Sequence, residues 1–262
     1  MPDFFDILCR TAHKTVAGGY YSGFAERDKP VDTRPTLRLS ECIRRCACLP
    51  LIAEVKLASP TMGAVHVDAG AIARHMQAGG AVGISVVTEP RFFKGFSHML
   101  GTVRSCVSVP LVMKDFVVSA CQIEAARDAG ASAILLIQAL FDRGYATRGA
   151  EDMIAFAHAI GLEVLLEAHT DSEFKRALST DADLVGINNR DLRTLTVDLM
   201  TTRDILEKVP TDGRVVVSES GVETPEEALF LKRCGVDALL VGSALMRAED
   251  ARRAVNRMVG AA

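Results

Sequence analysis

The sequence predicts an α/β fold, a single (β/α)8 TIM barrel that carries an N-terminal helical extension. Three observations support this prediction. The length of 262 residues matches the roughly 250 residues over which such a barrel folds as one domain. Short apolar runs alternate with helical patterns through about eight cycles, which is typical of parallel sheets. Five of these runs end in charged or amide side chains, as expected where carboxyl ends of strands meet in one catalytic mouth.

The first 50 residues precede the first predicted strand. They include an amphipathic stretch, Leu37–Cys46, which suits a helix packed by one face. We therefore predict one barrel domain over residues 1–262, of which residues 1–50 are the helical extension. No linker-like or low-complexity tract suggests a second domain.

Eight apolar, β-branched runs are predicted as strands. They are Leu51–Lys56, Val82–Val87, Leu111–Phe116, Ala133–Ile137, Glu163–Glu167, Leu184–Asn188, Arg214–Glu219 and Ala238–Gly242. The runs are continuously apolar rather than alternating, and this pattern indicates strands that are covered on both faces.

The segments between the strands are predicted as helices. Four of them end at a glycine suited to a left-handed cap: Ala69–Ala78, Ala120–Ala129, Asp152–Ile160 and Glu226–Cys234. Asp171 and Thr224 begin phrases with a capping residue and early acids, which mark helix starts. An open doubly wound sheet is the alternative. It would favour a glycine-rich dinucleotide loop after the first strand, and Glu54–Pro60 is not such a loop.

Composition and charge exclude several classes of function. Apolar residues make up 49% and charged residues 24%, and the net charge of −3 gives no electrostatic case for nucleic acid or an anionic membrane. The apolar runs are too short to span a bilayer, and the N-terminus lacks a signal-peptide layout. Seven cysteines, an odd number, argue against a disulfide framework and favour the cytoplasm.

No metal site is predicted. Cys42, Cys46 and Cys48 cluster before the first strand without a nearby histidine, whereas structural zinc requires four ligands. The histidines show no ligand-like spacing, so packing or surface roles are expected for both residue types.

The polar strand ends are the main candidates for chemistry. Glu54 and Lys56 lie two positions apart and therefore point to the same side of the first strand. The other candidates end strands three, five, six and seven: Lys114, Glu167, Asn188 and Glu219. Two lysines, three carboxyls and an amide in one partly desolvated mouth would tune acids and bases toward neutral pH. The alternative is that these groups only form structural ion pairs.

Two further loops are candidates for substrate binding. Ser220 and Gly221 follow the seventh strand, and Gly242 and Ser243 follow the eighth. Barrels often bind phosphate at these loops through backbone N–H groups, although the glycines could also serve only the turns. Phe92-Phe93 after the second strand could cover an aromatic substrate or simply pack at the rim.

These motifs together resemble those of the indole-3-glycerol phosphate synthase family. The matching phrases, from about residue 36 to about residue 250, are Ile52-Ala-Glu54-Val-Lys56-x-Ala-Ser59-Pro60, Met113-Lys114-Asp-Phe116, Glu163–Glu167, Gly186-Ile-Asn188-Asn-Arg190-Asp-Leu192, Ser218–Gly221 and Leu240–Arg247. The resemblance implies conversion of 1-(2-carboxyphenylamino)-1-deoxyribulose 5-phosphate to indole-3-glycerol phosphate, with loss of carbon dioxide and water, in tryptophan biosynthesis. It implies no metal or organic cofactor, and it makes other enzymes of that pathway candidate partners.

The resemblance also implies residue roles. Lys114 would protonate the sugar carbonyl during ring closure. Lys56 and Glu167, with Glu54 beside Lys56, would share the later acid and base steps in a division that stays open. Asn188 and Glu219 would orient the substrate and the lysines. The implied binding residues are Ser59, Ser220, Gly221, Gly242 and Ser243 for phosphate, Phe93, Phe116 and Leu192 for the anthranilate ring, and Arg190 for the carboxylate or for loop support.

Two positions depart from the commonest bacterial pattern. Leu57 stands where Arg is frequent and Met62 where Lys is frequent, both in the first βα loop. Loss of two cations there should weaken long-range attraction of an anionic substrate. Two other interpretations stay open: a related phosphosugar enzyme, such as phosphoribosylanthranilate isomerase or a Schiff-base aldolase that uses Lys114, and a non-catalytic phosphosugar-binding barrel.

Overall fold

Eight parallel strands close into a barrel with helices between them, which confirms the predicted (β/α)8 fold. The computed structural model describes residues 3–23, 37–60 and 63–260. In chain order the barrel strands are β1 (Leu51–Val55), β2 (Gly83–Val87), β3 (Leu111–Lys114), β4 (Ala133–Ile137), β5 (Glu163–Ala168), β6 (Leu184–Asn188), β7 (Val215–Glu219) and β8 (Ala238–Val241). Each strand pairs with its neighbours in sequence, and β8 closes the barrel on β1 with Leu51 opposite Leu239.

The strand ends differ slightly from the prediction. β1 stops at Val55, so Lys56 is the first residue beyond it. β3 stops at Lys114 rather than Phe116, because the Phe116 N–H donates to the Asp115 side chain instead of to the ladder. The strands are buried almost throughout, as the continuous apolar runs predict.

Helices fill the segments between the strands. They are α1 (Phe4–Ala17), α2 (Leu39–Arg45), α3 (Ala69–Ala78), α4 (Met99–Arg104), α5 (Ala120–Asp128), α6 (Gln138–Asp142), α7 (Ala150–Ala159), α8 (Asp171–Leu178), α9 (Met200–Lys208), α10 (Pro225–Arg233), α11 (Ser243–Arg247) and α12 (Ala251–Val259). A 3-10 turn, Tyr20–Gly23, follows α1. A small hairpin pairs Ala58–Ser59 with Gly63–Ala64 after β1. None of the helices within the described ranges is long and apolar enough to cross a membrane.

The helix ends follow the sequence signals closely. Thr224 caps α10 in a capping box with Glu227, as predicted. α8 begins at Asp171, but its cap is the preceding residue, Thr170. Gly79, the residue after α3, still has right-handed backbone geometry. The left-handed conformation that ends the helix is adopted by the next residue, Gly80, with φ +107°.

The extension covers both ends of the barrel. Buried residues of α1, including Phe5 and Leu8, and of α2, including Leu39 and Ile43, share one core with the inward-facing strand residues. α2 lies at the amino-terminal end, where the Leu39 and Ser40 N–H groups donate to Glu163 at the start of β5. α1 lies at the opposite end, and its Leu8 lines the mouth of the barrel. A second core packs the outer strand faces against the other helices.

Candidate active site

A cavity of about 760 Å³, counting the open space at its entrance, lies at the carboxyl-terminal mouth of the barrel. This is where catalytic groups of such barrels are found. Eleven of the predicted site residues line it: Glu54, Lys56, Ser59, Phe93, Lys114, Phe116, Glu167, Asn188, Arg190, Leu192 and Ser220. The structure therefore brings most of the predicted residues together. Glu219, Gly221, Gly242 and Ser243 do not line the cavity themselves, and their contacts are described below.

Lys114 is held at the centre of the mouth by two carboxyls. Its Nζ lies 2.8 Å from Glu167 Oε2 and 2.8 Å from Glu219 Oε2. Asn188 Nδ2 donates to the other Glu167 oxygen at 2.9 Å. Burial alone would lower the pKa of Lys114, but the charges of Glu167 and Glu219 outweigh it and raise that pKa. Lys114 is therefore an ammonium at neutral pH and carries its proton into the mouth of the barrel.

Glu219 is the least exposed of the three carboxyls. It is 1% exposed, and within the described part of the chain its Oε1 has no hydrogen-bond partner. Burial raises the pKa of Glu219 to about 8, although Lys114 lowers it. The carboxyl fits because its neighbour on β6 is Gly186, where a Cβ would overlap Glu219 Oε1. The glycine of the Gly186-Ile-Asn188 phrase thus makes room for Glu219.

Glu54 and Lys56 form a second ion pair beside Lys114. Lys56 Nζ lies 2.7 Å from Glu54 Oε1 and donates to Ser243 Oγ at 3.3 Å. Burial raises the pKa of Glu54, but Lys56 and Lys114 outweigh it, and the net pKa is lowered. A Cβ at Gly242 would overlap the Glu54 carboxyl. Gly242 therefore gives space to this ion pair, whatever it contributes to phosphate binding.

The loops after β6 and β7 are strained where they border the cavity. Leu195 and Ser220 have φ of +63° and +67°, a left-handed conformation that side chains tolerate only when the surroundings enforce it. Arg190 Nη1 donates to the Leu195 carbonyl at 3.0 Å, so its loop-support role is visible. Burial lowers the pKa of Arg190 despite the nearby Glu54. Gly221 has φ +92°, and a Cβ at this position would overlap the side chains of Val197 and Leu199.

An aromatic wall closes one side of the cavity. The rings of Phe93 and Phe116 are 6.4 Å apart. The loop that carries Phe93 is shaped by the carboxylate of Glu89, which accepts from the backbone N–H groups of residues 91 to 93 at 2.7 to 3.0 Å. Phe92 does not line the cavity, and its ring lies 5.6 Å from that of Phe4 in α1.

Sequence reasoning gave no site role to nine residues that line this cavity, and among them are Phe4, Leu8, Glu89 and Asp115. Glu89 and Asp115 follow the ends of β2 and β3, so the polar strand-end rule could have included them. Phe4 and Leu8 belong to α1, outside the repeating pattern, and no local signal places that helix over the mouth.

Two other predictions concern the first βα loop and the cysteines. Leu57 is partly buried against the outer core and its carbonyl accepts from Val65 N; Met62 lies outside the described residues. All seven cysteines are free, and Cys46 Sγ lies 3.4 Å from Cys48 Sγ. Within the described ranges no cluster of three or more His, Cys, Asp or Glu side chains could hold a metal ion.

Curated proteins of known function resemble this chain over most of its length. A family model described as indole-3-glycerol phosphate synthase matches residues 23–258. The indole-3-glycerol phosphate synthase of Oceanobacillus iheyensis is 36% identical over 237 residues, which are 90% of this chain and 87% of that protein. The synthase of Lactiplantibacillus plantarum is 43% identical over 212 residues, or 80% of each chain.

Solved structures share the barrel at low identity. Thiamine phosphate pyrophosphorylase from Pyrococcus furiosus matches with a TM-score of 0.59 and 19% identity, covering 81% of this chain and 95% of that one. N-acetylmannosamine-6-phosphate 2-epimerase from Clostridium perfringens matches with a TM-score of 0.60 and 15% identity, covering 82% and 93%. At these identities the likeness shows the fold alone.

Proposed function

The chain belongs to the indole-3-glycerol phosphate synthase family, and on that premise we propose how the residues of its mouth divide the work. The activity is a carboxy-lyase reaction of tryptophan biosynthesis. It converts 1-(2-carboxyphenylamino)-1-deoxyribulose 5-phosphate to indole-3-glycerol phosphate with loss of carbon dioxide and water.

Ring closure requires an acid, and Lys114 takes that role. The aromatic carbon attacks the sugar carbonyl, whose oxygen gains a proton as the bond forms. Lys114 is the cationic group shared by two buried carboxyls at the centre of the cavity, and this single observation carries the assignment. A positioned acid of this kind contributes on the order of 10²–10⁴ in rate.

Loss of carbon dioxide from the ring carbon that formed the new bond leaves the bond electrons with the ring and restores the benzene system. The dehydration that completes the indole then requires an acid for the departing hydroxyl and a base for a proton of the new five-membered ring. Lys56 donates the proton that leaves with the hydroxyl, and its Nζ is held 2.7 Å from Glu54 Oε1. Glu167 accepts the proton from the ring, because its carboxylate faces the cavity and is oriented by Asn188. Glu219 positions Lys114 by holding its ammonium group.

Binding is divided between opposite sides of the mouth. Phe93, Phe116 and Leu192 hold the anthranilate ring, and Arg190 meets its carboxylate. The phosphate is held near Ser59, Ser220, Gly221, Gly242 and Ser243, at the loops where barrels commonly bind phosphate. The reaction proceeds without a metal or organic cofactor. A cytoplasmic location and contacts with other enzymes of the pathway are part of the proposal, the former supported by seven free cysteines.

A Schiff-base aldolase is disfavoured by the same geometry. Such chemistry needs a neutral amine as nucleophile, whereas Glu167 and Glu219 raise the pKa of Lys114. Borohydride reduction in the presence of substrate would trap an aldolase covalently and leave this protein unmodified.

The test is to add the carboxyphenylamino sugar phosphate and follow indole fluorescence. We expect product from the wild type, and Lys114→Ala should lower kcat by roughly 10²–10⁴ while the protein stays folded. Lys175→Ala, at an exposed lysine on α8, is the matched control and should keep wild-type rates. Absence of product from folded wild-type protein would overturn the proposal.

A further inference from the structure

Asp115 is the first residue after β3, and the proposed chemistry does not use it. It follows Lys114 and precedes Phe116, and it is 4% exposed. Its Oδ2 accepts from Thr88 Oγ1 at 2.6 Å and from Tyr21 OH at 3.0 Å. Its Oδ1 accepts from the Phe116 N–H at 2.8 Å. A buried carboxyl with three donors joins chain segments that are far apart in sequence.

Each of these segments contributes a wall of the cavity. Tyr21 lies on the 3-10 turn after α1, the helix that supplies Leu8 to the mouth. Thr88 is the first residue after β2 and is followed by Glu89, which shapes the loop bearing Phe93. Tyr20 strengthens the same junction, because its hydroxyl donates to the Thr88 carbonyl at 2.9 Å. Asp115 therefore connects the extension, the Phe93 loop and the strand end of Lys114.

We propose that Asp115 is a positioning residue for the reaction: through Tyr21 and Thr88 it fixes the aromatic wall and the extension relative to Lys114. This inference rests on the proposed function. Burial raises the pKa of Asp115 to about 7, while the Thr88 and Tyr21 hydroxyls lower it, so the two donors also help to keep the carboxylate ionised. Loss of either donor would loosen the junction without removing any group that touches the substrate.

The expected signature is a loss of kcat with little change in KM. The residues assigned to phosphate follow β1, β7 and β8, and none of them is a partner of Asp115, so phosphate affinity should survive. The alignment of the ring with Lys114 should be lost, and kcat should fall, since small misplacements of reacting groups lower the rate on the order of 10- to 100-fold. A purely structural role would instead lower the melting temperature and the active fraction together.

The test compares Asp115→Asn, Tyr21→Phe and Thr88→Val with the wild type. Tyr145→Phe is the matched control, because Tyr145 OH also ties the extension to the barrel, donating to Asp6 at 2.9 Å, but away from Lys114. We expect kcat of the first three to fall roughly 10-fold or more with KM within about 3-fold, and the control to be unchanged.

Several results would overturn the inference. One is kcat within about 2-fold of wild type for both Asp115→Asn and Tyr21→Phe; another is an equal kcat loss in Tyr145→Phe. If Asp115→Asn does not fold, Tyr21→Phe and Thr88→Val decide the question, since each removes one hydroxyl only. An inactive wild type would overturn the proposed function first, and this inference with it.

Discussion

Two glutamates on β5 show how the two ends of this barrel differ. Glu163 and Glu167 are four residues apart and each is 3% exposed. At the amino-terminal end, Glu163 accepts from the backbone N–H groups of Leu39 and Ser40, the Ser40 hydroxyl and the Arg38 guanidinium. At the carboxyl-terminal end, Glu167 is held by Lys114 and Asn188 and faces the cavity.

The difference separates structural carboxyls from reactive ones. Asp183 and Asp237, also near the amino-terminal end, accept from backbone N–H groups of Val164 and Val216. Backbone donors cannot move away, so such carboxylates are fixed as parts of the fold. At the mouth the donors to Glu167 and Glu219 are side-chain groups, namely the Lys114 ammonium with its exchangeable protons and the Asn188 amide, and burial of Glu219 leaves one oxygen without a partner among the described residues. Carboxyls that are equally buried therefore have different roles at the two ends of the barrel, structural at the amino-terminal end and reactive at the mouth.

The largest effect should come from Glu167→Gln, which keeps the shape of the side chain and removes the base. We expect kcat to fall by about 10²–10⁴, while the melting temperature stays near that of the wild type because Lys114 keeps Glu219 as a partner. Indole fluorescence and thermal denaturation measure the two quantities. A variant that loses stability but keeps its turnover would show that Glu167 is a structural carboxyl like Glu163.

Gly186→Ala tests whether the position of Glu219 in the mouth depends on the space that the glycine leaves, in addition to its hydrogen-bond donors. The added Cβ would overlap the Glu219 carboxyl, so Glu219 and its partner Lys114 must shift. We expect a loss of kcat on the order of 10²-fold. Gly101→Ala on α4 is the control, because a Cβ there meets nothing within 4 Å and alanine favours helices. Equal activity of the two variants would contradict the role given to Gly186.

At the amino-terminal end of the barrel, Glu163→Gln should lower stability and leave kcat unchanged. The substitution removes the charge that accepts from Arg38 and from the start of α2, so we expect a loss of about 1–3 kcal/mol in the free energy of unfolding. For a chain of this size that is about 2–4 °C in Tm for each kcal/mol. A fall in kcat beyond the folded fraction would remove the distinction between the two ends.

Most of the barrel could be predicted from the sequence, because the patterns that indicate its strands and helices are local. Continuous apolar runs predicted β4 and β6 with their observed limits, Ala133–Ile137 and Leu184–Asn188. The polar strand ends converge as predicted, since parallel strands share one edge. The end of β3 was predicted at Phe116 but lies at Lys114, because the Phe116 N–H donates to the Asp115 side chain and not to the ladder.

The remaining features depend on contacts that only the closed barrel creates. Tyr21 and Asp115 are 94 positions apart, and no local pattern joins them. Gly242 was predicted from its loop as a phosphate residue, but its contact with Glu54 exists because β8 pairs with β1. Leu57 was predicted to weaken substrate attraction because it stands where a cation is frequent; its partial burial against the outer core is a further contact that no local pattern indicated.

The last effect concerns the pH dependence of stability rather than turnover, and Glu219 sets its direction. Burial raises the pKa of Glu219 from 4.5 to about 8, so the folded chain keeps a proton that the unfolded chain releases above about pH 4.5. This contribution is complete below pH 4.5 and is lost as the pH rises to about 8, with a slope of at most about 1.4 kcal/mol per pH unit. Tm should therefore fall less between pH 5 and 8 in Glu219→Gln than in the wild type. Asp115 contributes a slope of the same sign to both proteins and cancels in the comparison. Identical slopes would show that Glu219 is ionised in the fold, and that the mouth holds its carboxyls as firmly as the other end holds Glu163.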